Sequence, residues 1–231
     1  MKIIGIIGAM DEEIALMKEK INITEEKEMT SCVFYVGTYA EKKIILVKSG
    51  IGKVNAAICA QVLVDHFGVD CIINAGVAGA LDPALKLGDV VISLDAVQHD
   101  MDVSPLGDPI GIIPRMEESY FKAEPKLIAI AKELQKEITE YSLYFGRIAS
   151  GDQFIATKEG TQRIIDTVQG TCAEMEGAAI AQACYLNHIP FLIIRAISDG
   201  ADGEAAMSYE KFCVLAAGRS SYLLEKFLER M

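Results

Sequence analysis

With 231 residues, 51% of them hydrophobic and 24% charged, the chain is long enough for one sizeable core and too apolar for a disordered protein. Its 33 acidic and 22 basic side chains leave a net charge of −11, which disfavours nucleic acid and anionic membranes as partners. The six cysteines show no C-x-x-C and no histidine at zinc-ligand spacing, so they read as buried reduced thiols, with no metal implied.

In chain order, Lys2 to Gly8 is a short apolar run that stops before Asp11-Glu12-Glu13. It reads as a first strand rather than a secretion signal, which places the protein in the cytoplasm. Further β-type runs lie at Cys32 to Tyr39, Lys43 to Lys48, Cys71 to Ala75, Asp89 to Ser93, Leu143 to Ser150 and Phe191 to Ser198. Several are continuously apolar, as strands covered on both faces are. Helical spacing fills the intervals at Glu12 to Lys20, Val54 to His66, Pro125 to Thr139, Lys158 to Val168 and Met175 to Leu186, with a last helix from about Tyr209 onward. The alternation predicts an α/β fold with a largely parallel or mixed sheet between helices, one domain over residues 1–231. From Gln98 to Phe121 the chain carries His99, Asp100, Asp102, three prolines and two glycines with little periodicity. A loop of that length in a compact domain is functional or mobile. No apolar segment spans a bilayer's thickness without charge or turn residues.

Ligands of open α/β sheets sit at the carboxyl ends of the strands, so the residues just past each strand are the candidates. Ala9-Met10-Asp11-Glu12-Glu13 follows the first strand, Ser49-Gly50-Ile51-Gly52-Lys53 the third and Gly76-Val77-Ala78-Gly79 the fourth. Ser150-Gly151-Asp152-Gln153-Phe154-Ile155 and Arg195-Ala196-Ile197-Ser198-Asp199 end two more. Neither phosphate-binding fingerprint fits. Gly50-Ile51-Gly52 has Asn55 where the third dinucleotide glycine belongs, and Gly52-Lys53 has Val47 and Val54 in place of the P-loop's first glycine and its hydroxyl.

Asp11 and Glu12 read as acidic side chains favoured at a helix start, an effect of ~0.5–2 kcal/mol. Two readings stand for Glu13: a cap of the same kind, or a functional carboxylate turned inward over the strand ends. Arg195 and Asp199 leave a buried strand, where unpaired charge is costly; they mark a site, the alternative being a structural Arg–Asp ion pair. Glu174-Met175-Glu176 has two carboxylates at alternate positions, which predicts that one of them faces the ligand. Phe154 and Ile155 are core residues or, equally, a base-stacking platform. His66 and His188 read as surface or loop residues.

Together, Gly5-Ile6-Ile7-Gly8-Ala9-Met10, Ser49-Gly50-Ile51-Gly52-Lys53-Val54, Ser150-Gly151-Asp152, Glu174-Met175-Glu176 and Arg195-Ala196-Ile197-Ser198-Asp199 closely resemble the bacterial 5′-methylthioadenosine/S-adenosylhomocysteine nucleosidases. The match is in order and near-identical in spacing from the first strand to the last helix. It implies a three-layer, purine nucleoside phosphorylase-type α/β fold with a mixed central sheet flanked by helices. It also implies a homodimer that cleaves adenine from 5′-thio-substituted nucleosides without a cofactor.

On this resemblance Glu13 is the catalytic base, Asp199 the acid at adenine N7, and Glu176 the residue on the ribose hydroxyls. Met175 lines the ribose and 5′ substituent, Phe154 stacks on adenine and the Ile155 backbone reads its edge. Met10, Ile51 and Tyr209 complete an apolar 5′ pocket, and Glu174 joins the substrate-binding set. Ser198 and Arg195 support Asp199 and the water site. Val77, Ala78 and Gly79 belong to a turn whose backbone N–H groups would serve the water, because Val77 stands where many members have serine. Val103, Leu106 and Pro114, in the 98–121 loop, reach into the partner subunit's pocket.

These residue types suit the chemistry. Hydrolysing an N-glycosidic bond passes through an oxocarbenium-like sugar while negative charge builds on the base. It therefore needs a base on one side and an acid on the other, as in inverting glycosidases whose carboxylates stand ~6.5–9.5 Å apart. Burial at the end of an apolar strand raises the expected pKa of Asp199 towards a protonated acid. Glu13 has to be ionised to take a proton from water, and an anionic Glu176 stabilises the sugar cation. A phosphate dianion beside Glu13 would meet like charge a few ångströms away, so water is the better nucleophile. The expected substrates are methylthioadenosine, adenosylhomocysteine and 5′-deoxyadenosine. A futalosine-type hydrolase, a true phosphorylase and a nucleoside-binding protein without catalysis are the alternatives.

Overall fold

The structure is a computed structural model that describes residues 2–200 and 205–231, with side chains in the last helix from residue 212 onward. The first half comprises β1 (Ile3–Gly8), α1 (Asp11–Lys20), β2 (Asn22–Met29), β3 (Cys32–Tyr39), β4 (Lys42–Lys48), α2 (Lys53–Phe67), β5 (Cys71–Ala80) and β6 (Val90–Gln98). A short 3-10 turn (Ser104–Leu106) then leads to β7 (Phe121–Lys122), α3 (Pro125–Gln135), β8 (Leu143–Ser150) and α4 (Lys158–Val168). The chain ends with β9 (Cys172–Glu174), α5 (Gly177–Leu186), β10 (Phe191–Asp199) and α6 (Ala205–Arg230).

Isoleucine-rich runs bury both faces and so take the middle of the sheet. β1 has five of its six residues buried and runs parallel to β4 on one side and β5 on the other. The ten strands follow the order β10-β6-β8-β9-β5-β1-β4-β3-β2, with β7 beside β6. Because β10 also pairs with β5, the strands β5, β10, β6, β8 and β9 close into a ring, and β1, β4, β3 and β2 extend from it. Helices α1 and α6 pack together, as do α2 and α5, and these two groups cover the sheet. The expected mixed, helix-flanked sheet is what forms.

Three strands carry no apolar periodicity and escape the sequence reading: β2, β7 and β9. β2 is an exposed, acidic edge strand, a composition that blunts a sheet edge against further pairing. It is joined to β3 through Thr30-Ser31, and β3 to β4 through Ala40-Glu41, all four at φ between 44° and 61°. That is the geometry of a type I′ hairpin without the Asn-Gly pair that usually announces it. β5 runs on through Gly76-Val77-Ala78-Gly79 instead of turning after Ala75, because its pairing with β10 continues to Gly79. β6 reaches Gln98 rather than Ser93, past a bulge between Ser93 and Asp95 that interrupts the alternation. α3 stops at Gln135, short of Thr139. α5 starts at Gly177, which leaves Met175 and Glu176 ahead of the helix.

Of the six free cysteines five are buried, whereas Cys32 is half-buried with its sulfur 3.7 Å from that of Cys59. No helix among the described residues is long and apolar enough to cross a membrane.

Candidate active site

The carboxyl ends of β1, β4, β5, β8, β9 and β10 surround a cavity of about 330 Å³, in the place an α/β sheet offers its ligand. Twelve of the expected residues border it: Met10, Glu13, Ile51, Val77, Ala78, Gly79, Phe154, Glu174, Met175, Glu176, Ser198 and Asp199. Ile155 lines a smaller adjoining recess together with Phe154 and Asp199.

Glu13 is both of the things its position allowed. As the third residue of α1 it turns its carboxylate back over the helix start, where Oε2 accepts the N–H groups of Ala9 (2.6 Å) and Met10 (3.1 Å). The Met10 bond is the carboxylate half of a capping box. Oε1 accepts the Val77 N–H at 2.9 Å, and the side chain, buried, forms part of the cavity wall. Burial raises its pKa, while Arg195 and the three N–H donors act the other way. Asp11 turns outward to Lys48 at 2.8 Å, and Glu12 is exposed.

Val77 corrects one expectation. It lies in a strand rather than a turn, and its N–H is committed to Glu13, so this group holds the carboxylate and is not left over for a water.

Arg195 corrects another. It is 1% exposed, lies behind the cavity rather than in it, and makes its side-chain bonds to Glu174 and Asn74 instead of Asp199. A buried guanidinium requires such partners. Glu174 also accepts from Ser150 Oγ and from the N–H groups of Glu176 (3.1 Å) and Gly177 (2.8 Å). Although it borders the cavity, its oxygens are spent on the protein. Glu176 accepts the Gly52 N–H at 2.9 Å and retains acceptor capacity for a ligand. Burial first, and the Glu174 charge second, push its pKa up to about 7.

Asp199 is buried at the end of β10 and accepts the Ser198 hydroxyl at 2.7 Å. Opposite it β5 carries two glycines that make room. A Cβ at Gly79 would stand 2.6 Å from Asp199 Oδ2, and one at Gly76 would overlap the Glu13 carboxylate and lie 2.7 Å from Arg195 Nη1. Asn74 is a site residue that sequence reasoning passed over, whereas Gly52, Ser150 and Gly76 stand among the strand-end candidates without an assigned role, which for Gly76 is to make room. The signal for Gly76 was a pair of glycines three apart inside an apolar strand, a place where another group approaches the backbone closely.

Val103, Leu106 and Pro114 do not border this cavity, and Leu106 is 83% exposed. Tyr209 falls outside the residues whose side chains are described. Among the described residues no lysine, arginine or histidine lines the cavity, and no three His, Cys, Asp or Glu side chains cluster as metal ligands.

The chain belongs to the phosphorylase superfamily, whose family model matches residues 3–229. Within it, the chain is similar to 5′-methylthioadenosine/S-adenosylhomocysteine nucleosidases. One from Staphylococcus aureus (strain JH9) is 41% identical over 229 residues, 99% of this chain and 100% of the relative. The crystal structure of the nucleosidase from Neisseria meningitidis in complex with methylthio-immucillin-A has a TM-score of 0.96 at 37% identity, covering 100% of both chains. Futalosine hydrolase of Helicobacter pylori strain 26695 has a TM-score of 0.95 at 36% identity, covering 100% of this chain and 98% of its own. The family that the motifs resemble is thereby borne out.

Proposed function

We propose that this chain, acting as one catalytic domain, hydrolyses the N-glycosidic bond of 5′-methylthioadenosine and S-adenosylhomocysteine, and of 5′-deoxyadenosine, independently of phosphate. Water attacks C1′ and gives its proton to Glu13 as the bond to adenine N9 breaks. Asp199 protonates N7, so that neutral adenine leaves. Glu176 holds the ribose hydroxyls and opposes the charge of the oxocarbenium-like sugar. Phe154 and the Ile155 backbone take the base, and Met10, Ile51, Met175 and Tyr209 the 5′ substituent. Arg195 and Glu174 are positioning residues behind these groups.

The observation that carries this reading is the pair of buried carboxylates, Glu13 and Asp199, in a cavity lined by no cationic side chain among the described residues. A phosphate nucleophile would need cations in the cavity wall itself, and Arg195, the cation nearest Glu13, lies behind that wall with its bonds spent on Glu174 and Asn74, whereas neutral water needs only a base. The Staphylococcus aureus and Neisseria meningitidis relatives support the choice of substrate. The Helicobacter pylori futalosine hydrolase supports a second reading, in which a futalosine-type nucleoside is the substrate.

Product analysis tests the proposal. Methylthioadenosine should give adenine and methylthioribose at equal rates with and without phosphate, and methylthioribose 1-phosphate as product would overturn it. Turnover of futalosine in preference to methylthioadenosine would favour the second reading. Glu13→Gln and Asp199→Asn should each lower kcat by at least about 10²-fold while remaining folded; full activity in either removes that residue's role.

A further inference from the structure

Three residues next to the loops that carry the cavity wall close a ring of contacts. Lys53, the first residue of α2, donates its backbone N–H to Asp152 Oδ1 at 2.8 Å. Asp152 donates its own N–H to Asp100 Oδ2 at 3.0 Å. Asp100 Oδ1 meets the Lys53 ammonium at 2.6 Å, which closes the circuit. The residues come from three different places: the start of α2, the end of β6 and the end of β8. Both ionic side chains are less than one-fifth exposed, so this pair escapes most of the screening that makes surface pairs weak. Burial pushes the Asp100 carboxyl upward, but the Lys53 ammonium and the Asp152 N–H outweigh it and hold the group below the usual carboxylate range. Lys53 also donates to Gln98 Oε1 at 2.9 Å, which anchors it from a second side.

The ring joins the two loops that would hold opposite ends of a nucleoside. One residue before Lys53 is Gly52, at φ +100°, whose N–H fixes Glu176; one residue earlier again is Ile51, on the cavity wall. Two residues after Asp152 is Phe154, then Ile155. Resting on the nucleosidase reading, we propose that Lys53, Asp100 and Asp152 are a positioning clasp that sets the distance between the ribose-side loop and the base-side loop, and thereby the affinity for the nucleoside. None of the three borders the cavity, so the clasp acts on binding geometry and not on the proton transfers.

The test uses Lys53→Met, Asp100→Asn and Lys53→Arg in the full chain, with KM and kcat for methylthioadenosine, adenine affinity by calorimetry, and melting temperature. Lys53→Met and Asp100→Asn should raise KM and weaken adenine binding about tenfold, with kcat within about threefold of wild type, the pattern of lost uniform binding. Lys53→Arg, which restores the cation, should recover most of the affinity. Wild-type KM and adenine affinity in both disrupting variants, a fall in kcat at unchanged KM, or a Lys53→Arg protein no better than Lys53→Met would overturn the clasp. A wild-type chain that binds adenine but releases none from methylthioadenosine overturns the hydrolase reading alone, and the adenine affinities of the variants still decide the clasp.

Discussion

Glu13 and Glu176 are buried carboxylates held in different ways. Glu13 has three backbone N–H donors on its two oxygens, contacts that favour the charged form against the burial that opposes it. A base tuned upward from the ordinary carboxylate range, yet ready to hold its charge, is suited to accept a proton from water near neutral pH. Glu176 has the Gly52 N–H and the committed Glu174 beside it, so like charge adds to burial and its pKa stands at about 7. That has a consequence for stability. The folded state binds the Glu176 proton more tightly than the unfolded chain does, so between pH 4.5 and 7 the native protein holds the extra proton and loses stability as pH rises. Glu176→Gln removes the charge and keeps an acceptor for Gly52. Its stability relative to the parent should therefore be greater at pH 8 than at pH 4 by roughly 1–3 kcal/mol, read from denaturant melts at the two pH values. An equal difference at both would show that Glu176 titrates normally. Activity should be lost at both, because the anionic acceptor proposed for the ribose hydroxyls is removed.

At the scale of the element, β5 does most to shape the site. It pairs parallel with β1, which leads into the helix that carries Glu13, and with β10, which ends at Asp199, and it makes room for those carboxylates at Gly76 and Gly79. Gly76→Ala would push a methyl group into Glu13 and Arg195 at once. It should cost about 1–3 kcal/mol by overpacking and lower kcat far more than the Ala78→Gly control in the same strand; normal turnover in Gly76→Ala would mean that Glu13 can relocate freely. β5 also shows what a sequence can tell and what it cannot. Its first half is legible because Cys71 to Ala75 is apolar at every position but Asn74, close to the pattern of a strand covered on both faces. Its second half looks like a turn, since Gly-Val-Ala-Gly has the composition of one, and only the pairing with β10 makes it a strand. The same holds for Glu174. Its spacing announced a carboxylate near the site, but its union with Arg195 depends on β9, three residues long and without a pattern of its own. Glu13 stayed ambiguous because a helix cap and a catalytic base at that position use the same backbone donors.

On the scale of the whole molecule, a surface has to be explained. Ile51, Val54 and Ile58 are 54%, 69% and 44% exposed, and their spacing of three and four places them along one side of α2 and its lead-in. Leu186, at the end of α5, is 59% exposed, and the residue after it, Asn187, bonds Gln61 of α2 at 2.7 Å. An apolar strip of this kind is a surface that a protein contact can cover. We propose that it is the homodimer face implied by the family resemblance, with the partner's Leu106 loop completing each cavity. In that arrangement Ile51 belongs both to the strip and to the cavity wall, so the interface and the substrate would share a residue. Val54→Asp/Ile58→Asp should then sediment as a 25.1 kDa monomer and raise KM for methylthioadenosine. Leu106→Asp should remain dimeric and raise KM alone, because it removes a wall of the neighbouring cavity without loosening the strip. A wild-type chain that sediments as a monomer at assay concentration and turns over normally would assign the strip and the loop to some other partner.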